Sequence, residues 1–327
     1  MTLELAPGLW SIPVRIPIPS LKTVNVYLLE LEGGGAALID TGWDDEASYE
    51  TLLKGVRTTG HELEDIATVV ITHAHPDHLG LAHRIRELSG ATVLMHEAEA
   101  ARLRHGPNGP QRYADAMLEA LPRWGVDASE LDNWLGSSAA SSSRSWEVPV
   151  SPVRHGQVLD LPGWNVEAVW TPGHTHGHLC LFERTTRSFF SGDHVLPRIT
   201  PVIGMHPGEE TDPLADFLAS LHLVATLDVS TVMPAHERPF VGLAERVAEL
   251  KDHHAQRLGE VHALVEKQPG ITAWKLANLL TWSRPLNDAS PPTRRLALAE
   301  TQAHLVHLQR RGELVRSGSS AERWRTS

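Results

Sequence analysis

The stretch that most limits what this chain can fold into is IATVVITHAHPDH, residues 66–78. There an apolar, β-branched run ends in three histidines and one aspartate within six positions. The run is short, rich in Val, Ile and Thr, and closed by Pro76, so it reads as a buried strand. In extended backbone, residues two apart face the same side at about 6.5–7 Å, so His73 and His75 can aim at one ion. If the chain turns into a helix after Pro76, Asp77 and His78 swing toward a second ion close by. Asp77 alone would suit a helix N-cap, and a lone histidine would suit ordinary packing. Four nitrogen and oxygen donors together do not, because burying them unpaired costs several kcal/mol.

Other apolar runs also end on a polar group. TPGHTHGH places His174 just past a strand, after a Pro-Gly turn that leaves room for close backbone approach. FFSGDHVL ends a strand with Asp193, VMPAH ends one with His236, and ALIDTG ends one with Asp40. Strand ends of a layered α/β fold are where such a fold gathers its site. The single cysteine, Cys180, excludes an intramolecular disulfide and every cysteine-rich zinc module, so any metal must be held by histidine and carboxylate.

Around these motifs the chain reads as alternating strands and helices. GLWSIPV, TVNVYLLEL and AALIDTG form an opening meander, and a helix is expected over about 45–57. A second helix is expected from near Asp77 to before Gly90, and ATVLMHE returns as a strand, giving a βαβ unit. Residues 100–135 read as helical and lead into the flexible GSSAASSSRS, an insertion placed as a lid would be. Strands resume in WNVEAVWTPG, HLCLFER, RSFFSGDHVL and VSTVMPAH, with a helix near 212–227, and the two similar halves imply a layered α/β sandwich. Beyond Val241 the pattern turns helical. Val247, Leu250, His254, Leu258, Val261 and Val265 recur at spacings of three and four. A helix capped by Thr272 follows, then one over about 293–311 and the hairpin-like GELVRSGSSAERWR, a winged-helix outline. The expected division is a catalytic domain at 1–242, with its helical insertion at about 100–145, and a winged-helix-like domain at 243–327.

A length of 327 residues suits these two domains, and 41% hydrophobic with 21% charged residues is a normal soluble balance. No apolar run approaches the roughly 18 residues of a membrane span, and MTLELAPGLW has no secretion signal, so the expected location is the cytoplasm. The net charge of −11 is uneven. From Leu243 onward 13 Lys and Arg face 9 Asp and Glu, leaving 16 basic against 31 acidic residues for the rest. The larger part is therefore a poor polyanion-binding surface, and only the tail leans basic.

With HxHxDH and the separate His, Asp and His downstream, residues 8–242 resemble the metallo-β-lactamase superfamily of dinuclear hydrolases. The resemblance implies a four-layer αββα sandwich followed by a small winged-helix domain. It implies that His73, His75 and His174 hold one metal, that Asp77, His78 and His236 hold the other, and that Asp193 bridges them. It places Asp40 behind the metal-bound histidines as their orienting group, and His178, also part of the motif, in a supporting role. Such ligands suit two zinc ions, or iron or manganese, with a bridging hydroxide as nucleophile. The reaction then expected is hydrolysis of a small ester, thioester or lactone. An endoribonuclease like the lactamase-β-2-like proteins is the alternative, and a mononuclear-iron persulfide dioxygenase is the third reading. Partners are a small-molecule substrate and no membrane; nucleic acid is not favoured, and homodimerisation is left open.

Departures from the family pattern are visible. Its Gly-His-Gly corner is replaced by Ala235 and Glu237 around His236, and Leu79 precedes Gly80 where related hydrolases carry Gly-Gly. Arg198 and His206 could meet an anionic group, and Tyr113 and Trp134 could be lid aromatics, although solvated loop and core roles are favoured. His176 is a further imidazole of the loop, while His194 and Cys180 read as structural.

Overall fold

The computed structural model describes residues 1–18, 21–103, 109–127, 129, 131–134, 143–207 and 211–327. The chain divides into two compact units: residues 1–109, 141–201 and 223–246 in one, and 110–140, 202–222 and 247–327 in the other. The second unit thus takes in 110–140 and 202–222, which a division at residue 242 would leave with the first.

The first unit is built on two sheets. β1 (Leu3–Ala6), β2 (Leu9–Arg15), β3 (Thr23–Glu30), β4 (Ala36–Ile39), β5 (Ile66–Ile71), β6 (Thr92–His96) and β7 (Ser151–Val153) lie side by side in chain order. The pairs from β1 to β4 are antiparallel; those from β4 to β7 are parallel. The connecting helices are α1 (Glu46–Thr58), α2 (Pro76–Leu79), α3 (Ala82–Ser89) and α4 (Glu97–Leu103). β8 (Val166–Trp170), β9 (Leu179–Glu183), β10 (Ser188–Gly192) and β11 (Thr231–Pro234) make the second sheet, in the order β11-β10-β9-β8.

Strand alternation decides how these sheets pack. Val24, Val26 and Leu28 of β3 face a core shared with Leu52 and Val56 of α1 and Ile85 of α3. Tyr27 and Leu29, pointing the other way, join Val166, Leu181 and Phe190 between the sheets. Tyr27 meets Phe190 edge-on at 5.1 Å. Both faces of the seven-stranded sheet are therefore buried, which is why β3 and β5 read as nearly continuous apolar runs. β1 and β7 went unread because one exposes Leu3 and Glu4 and the other is three residues long with Pro152 at its centre.

The single helix expected from Asp77 to Gly90 is instead two, α2 and α3, broken at Gly80 and Leu81. The segment after β4 crosses there. A Cβ on Gly80 would lie 2.4 Å from the Pro76 carbonyl oxygen, 2.5 Å from that of Gly42 and 2.6 Å from Asp44 N. The Leu81 amide donates to Thr41 Oγ1 (3.1 Å) and the Gly42 carbonyl (3.2 Å). The break ties the HAHPDH corner to the end of β4.

The second unit contains α5 (Gly109–Arg123), α6 (Leu131–Trp134), α7 (Pro213–Val224), α8 (Leu243–Lys267), α9 (Ala273–Ala277) and α10 (Pro291–Arg310), with the antiparallel hairpin of β12 (Leu314–Ser317) and β13 (Arg323–Thr326). α7 and α8 each begin or end in the first unit. The six α8 positions picked out by periodicity are all buried, and Thr272 caps α9 by accepting from the Lys275 amide. Trp134 is core: it packs edge-on against Trp274 at 4.6 Å, and its carbonyl accepts from Arg295. The Tyr113 side chain and residues 135–142 of the serine-rich stretch lie outside the described residues.

His254 of α8 and His304 of α10 form a buried pair in this unit, with Nδ1 to Nε2 at 3.3 Å. Burial and the facing imidazole push His254 down to about 3; burial, which outweighs the Glu300 carbonyl, pushes His304 down to about 4. Both values lie below the usual 6.5, so the unfolded chain binds more protons across that interval, and stability present above pH 6.5 is lost as pH falls toward 4. The cost at pH 5 is about 2 kcal/mol per imidazole. We expect the urea midpoint of wild type to fall between pH 7 and 5 by more than that of His254→Phe. Equal falls would show that the pair does not titrate this way.

Candidate metal centre

Every residue of the HxHxDH pattern lies on or just past the end of β5, and three other strand ends face it. Two donor groups result. His73, His75, His174 and Asp193 form one, and Asp77, His78 and His236 the other, with the donor atoms of each group within 4.8 Å of one another.

In the first group His75 Nδ1 lies 2.8 Å from His73 Nε2 and 3.1 Å from His174 Nε2. Nitrogens about 2.05 Å from a shared tetrahedral centre stand roughly 3.3 Å apart, close to this spacing. A neutral Nδ1 can serve as donor to only one of these neighbours. Asp193 lies between the groups: Oδ2 is 3.6 Å from His174 Nε2 and 3.7 Å from His78 Nε2, and Oδ1 is 3.4 Å from His236 Nε2. Asp77 Oδ2 completes the second group, 3.8 Å from His78 Nε2 and 3.5 Å from His236 Nε2.

Hydrogen bonds on the far side of each ring decide which nitrogen faces inward. Asp40 Oδ2 lies 2.8 Å from His78 Nδ1 and fixes the proton there, leaving Nε2 to the site. The Asp40 carboxylate also accepts from Thr72 N–H (2.8 Å) and Thr72 Oγ1. Thr72 Oγ1 is thereby a donor to Asp40 and an acceptor for His73 Nδ1 at 3.1 Å, which turns His73 Nε2 inward. His236 Nδ1 donates to the Thr23 carbonyl at 2.9 Å, with the same result. Asp40 holds φ at +61°, a left-handed conformation that Asp tolerates better than most residues. His178 Nε2 accepts from the Asp193 amide at 3.1 Å, and its Nδ1 pairs with Thr171 Oγ1, so His178 seats the Asp193 main chain.

Charge in the site is one-sided. Burial lowers His78, but Asp40, Asp77 and Asp193 outweigh it and hold its pKa well above the usual value; the same balance, with Asp193 and Asp77, carries His236 up to about 10. Burial raises Asp193, yet His236 and His78 keep it well below the usual carboxylate range. Burial, with the neighbouring imidazoles, pushes His73 and His75 far down. Among the described residues, His78 Nε2, His236 Nε2 and Asp193 Oδ1 are buried with no hydrogen-bond partner. Orphaned lone pairs converging on one point, in an imidazole and carboxylate set, fit a divalent transition metal.

The corner around His236 holds without its glycines. Glu237 takes φ +71°, Asn25 Nδ2 donates to the carbonyls of Pro234 and Glu237 at 2.9 Å each, and Tyr27 Oη donates to Pro234 at 2.8 Å. Arg198 binds Glu237 through Nε at 2.8 Å, so an acidic partner already engages it. His206 belongs to the second unit. His176 is exposed, with its carbonyl accepting from Trp170 Nε1, while His194 is buried. Cys180 is fully buried, and burial pushes its thiol well up, which suits a core residue.

Sequence reasoning missed Glu99, buried in α4, whose carboxylate accepts from the amides of Ala74 and Gly177. Its signal was MHEAEA, an acidic residue just past the end of β6, where the other strand ends carry site residues.

The family model for the metallo-beta-lactamase superfamily matches residues 20–236. The probable metallo-hydrolase YqjP of Bacillus subtilis is 28% identical, over 82% of this chain and 84% of its own length. The thioesterase pkgB of Emericella nidulans is 23% identical, over 75% of this chain and 55% of its own. Among solved structures, a metallo-beta-lactamase family protein of Thermus thermophilus superposes with a TM-score of 0.83 at 32% identity, covering 99% of this chain and 100% of that one.

Replacing Asp40 by Asn would set an amide N–H against His78 Nδ1, force that nitrogen to accept, and put the proton on Nε2, where it blocks coordination. We expect Asp40→Asn to keep its circular dichroism spectrum and to bind metal about 10–100-fold more weakly, measured by chelator competition. Unchanged affinity would show that Asp40 does not set the tautomer.

Proposed function

The chain belongs to the metallo-beta-lactamase superfamily and is a hydrolase of it, and from that premise we propose that it holds two transition-metal ions and cleaves a small ester, thioester or lactone. The observation that carries the reading is the donor set at one point: His78 Nε2, His236 Nε2 and Asp193 Oδ1, each buried and, among the described residues, without a hydrogen bond, facing one another and Asp77 only across imidazole–carboxylate contacts of 3.4–3.8 Å. His73, His75 and His174 would hold one ion, Asp77, His78 and His236 the other, and Asp193 would touch both. Bound zinc, or iron or manganese in its place, supplies an ionisable water near neutral pH and polarises the scissile bond.

The chain's own residues do the positioning. Asp40 fixes the His78 ring directly and the His73 ring through Thr72, so both present Nε2 whatever the substrate. His178 seats Asp193 from behind, and Asn25 and Tyr27 hold the loop that carries His236. No serine or cysteine nucleophile is needed, and the buried thiol of Cys180 fits that. In this reading the two sheets and their helices form the αββα sandwich, with the cytoplasm as its location.

A thioester is favoured because one relative is named a thioesterase. Cleavage of RNA is the second reading, favoured by the helices and hairpin of the C-terminal segment, which have the outline of a winged helix, and by its basic balance. Against it, Arg294 donates to the Asn287 carbonyl, Arg295 to that of Trp134, Arg311 pairs with Glu313 and Arg316 with Glu322.

Elemental analysis of purified protein is expected to find two transition-metal ions per chain, and Asp193→Ala to lose both metal and hydrolysis of thioesters or lactones. Cleavage of single-stranded RNA that weakens steeply between low and physiological salt would promote the second reading. One iron per chain with oxygen uptake and no hydrolysis would replace both with a dioxygenase.

A further inference from the structure

Glu99 has no exposed surface and is not one of the seven donors. A buried carboxylate is costly unless its oxygens are occupied, and here each is taken by a main-chain amide from a different loop. Oε1 accepts from Ala74 N–H at 2.9 Å and Oε2 from Gly177 N–H at 3.0 Å. Ala74 stands between His73 and His75, and Gly177 lies three residues after His174. The three main chains meet so closely that a Cβ on Gly177 would lie 2.3 Å from Glu99 N. The β6–α4 corner grips the same loop a second time. His96 stacks on Trp170 at 5.1 Å with 6° between the rings, and Trp170 Nε1 donates to the His176 carbonyl at 2.9 Å.

We infer that Glu99 is a positioning residue that sets the spacing of the three-imidazole group, His73, His75 and His174, by clamping the two loops that carry it. The inference rests on the metal-binding reading above. The two amides bonded to Glu99 lie in the loop before α2 and in the loop between β8 and β9, whereas Asp77 and His78 stand on α2 itself and His236 follows β11. Losing the carboxylate therefore loosens one donor group and leaves the other, which Asp40, Thr23 and Asn25 hold from elsewhere. Glutamine cannot replace it, since its amide nitrogen would face one of the two N–H donors.

The test is a cobalt(II) titration of chelator-stripped wild type, Glu99→Ala and Glu99→Gln, followed by visible absorption. Wild type is expected to take two equivalents. In both variants one equivalent should bind about 10–100-fold more weakly with an altered visible band, while the other keeps its affinity. Two equivalents bound as in wild type, or both weakened alike, would overturn the inference. A second measurement needs no variant. In stripped wild type the amides of Ala74 and Gly177 should resist hydrogen exchange, and free exchange at either removes the clamp. A wild type that takes up no cobalt sinks the metal reading itself, and Glu99 with it. Unchanged variants beside a wild type that binds two sink only the role of Glu99.

Discussion

Buried lone pairs facing one another are the constraint on which the first unit is organised. His75 Nδ1 is within hydrogen-bonding distance of both His73 Nε2 and His174 Nε2, and once Thr72 Oγ1 holds the His73 proton on Nδ1 a neutral His75 can donate to one of them only. Nearby, His78, His236, Asp77 and Asp193 point nitrogen and oxygen at one another across 3.4–3.8 Å. In a low-dielectric interior such an arrangement is unfavourable unless positive charge enters it, as protons or as metal. The raised pKa values of His78 and His236 and the depressed one of Asp193 are two sides of that demand.

The scaffold meets the demand from behind. A ring that must offer one nitrogen inward has to be held by the other, and Asp40, Thr72 and Thr23 do this for His78, His73 and His236. Of the four described non-glycine residues in left-handed backbone, two stand at the site, Asp40 behind the HAHPDH corner and Glu237 beside His236. Left-handed backbone persists where surrounding bonds over-determine it. The Asp40 carboxylate is bonded to Thr72 and His78, and the Glu237 carbonyl and carboxylate are bonded to Asn25 and Arg198. The missing glycines at the His236 corner therefore do not displace that ring. The same Glu237 carboxylate engages Arg198, for which the sequence favoured a loop role over an anion contact.

Much of this was legible before any fold was known. HAHPDH is readable because strand periodicity makes residues two apart neighbours and a proline marks where the strand ends, so the inference needs only local geometry. His174, Asp193, His236 and Asp40 were found by the same rule, a polar residue closing an apolar run. Glu99 escaped it because the acid stands three residues past His96, inside a helix where acidic residues are commonplace. The break at Gly80 escaped for a different reason: its cause is a backbone crossing from residues 42–44, some forty positions earlier.

The sequence by itself determined which side chains offer metal-capable donors and most, though not all, of the strands and helices, because donor chemistry and periodicity are properties of near neighbours along the chain. It also carried the buried positions of α8, since burial of a helix face follows from spacing alone. Only the tertiary structure decided which nitrogen of each ring faces inward, that Asp193 stands between both donor groups, and that 110–140 and 202–222 pack with the C-terminal segment. Those outcomes depend on bonds between residues as many as 213 positions apart, such as His236 to Thr23. A pattern within one segment carries no information about where another segment will place its carbonyl.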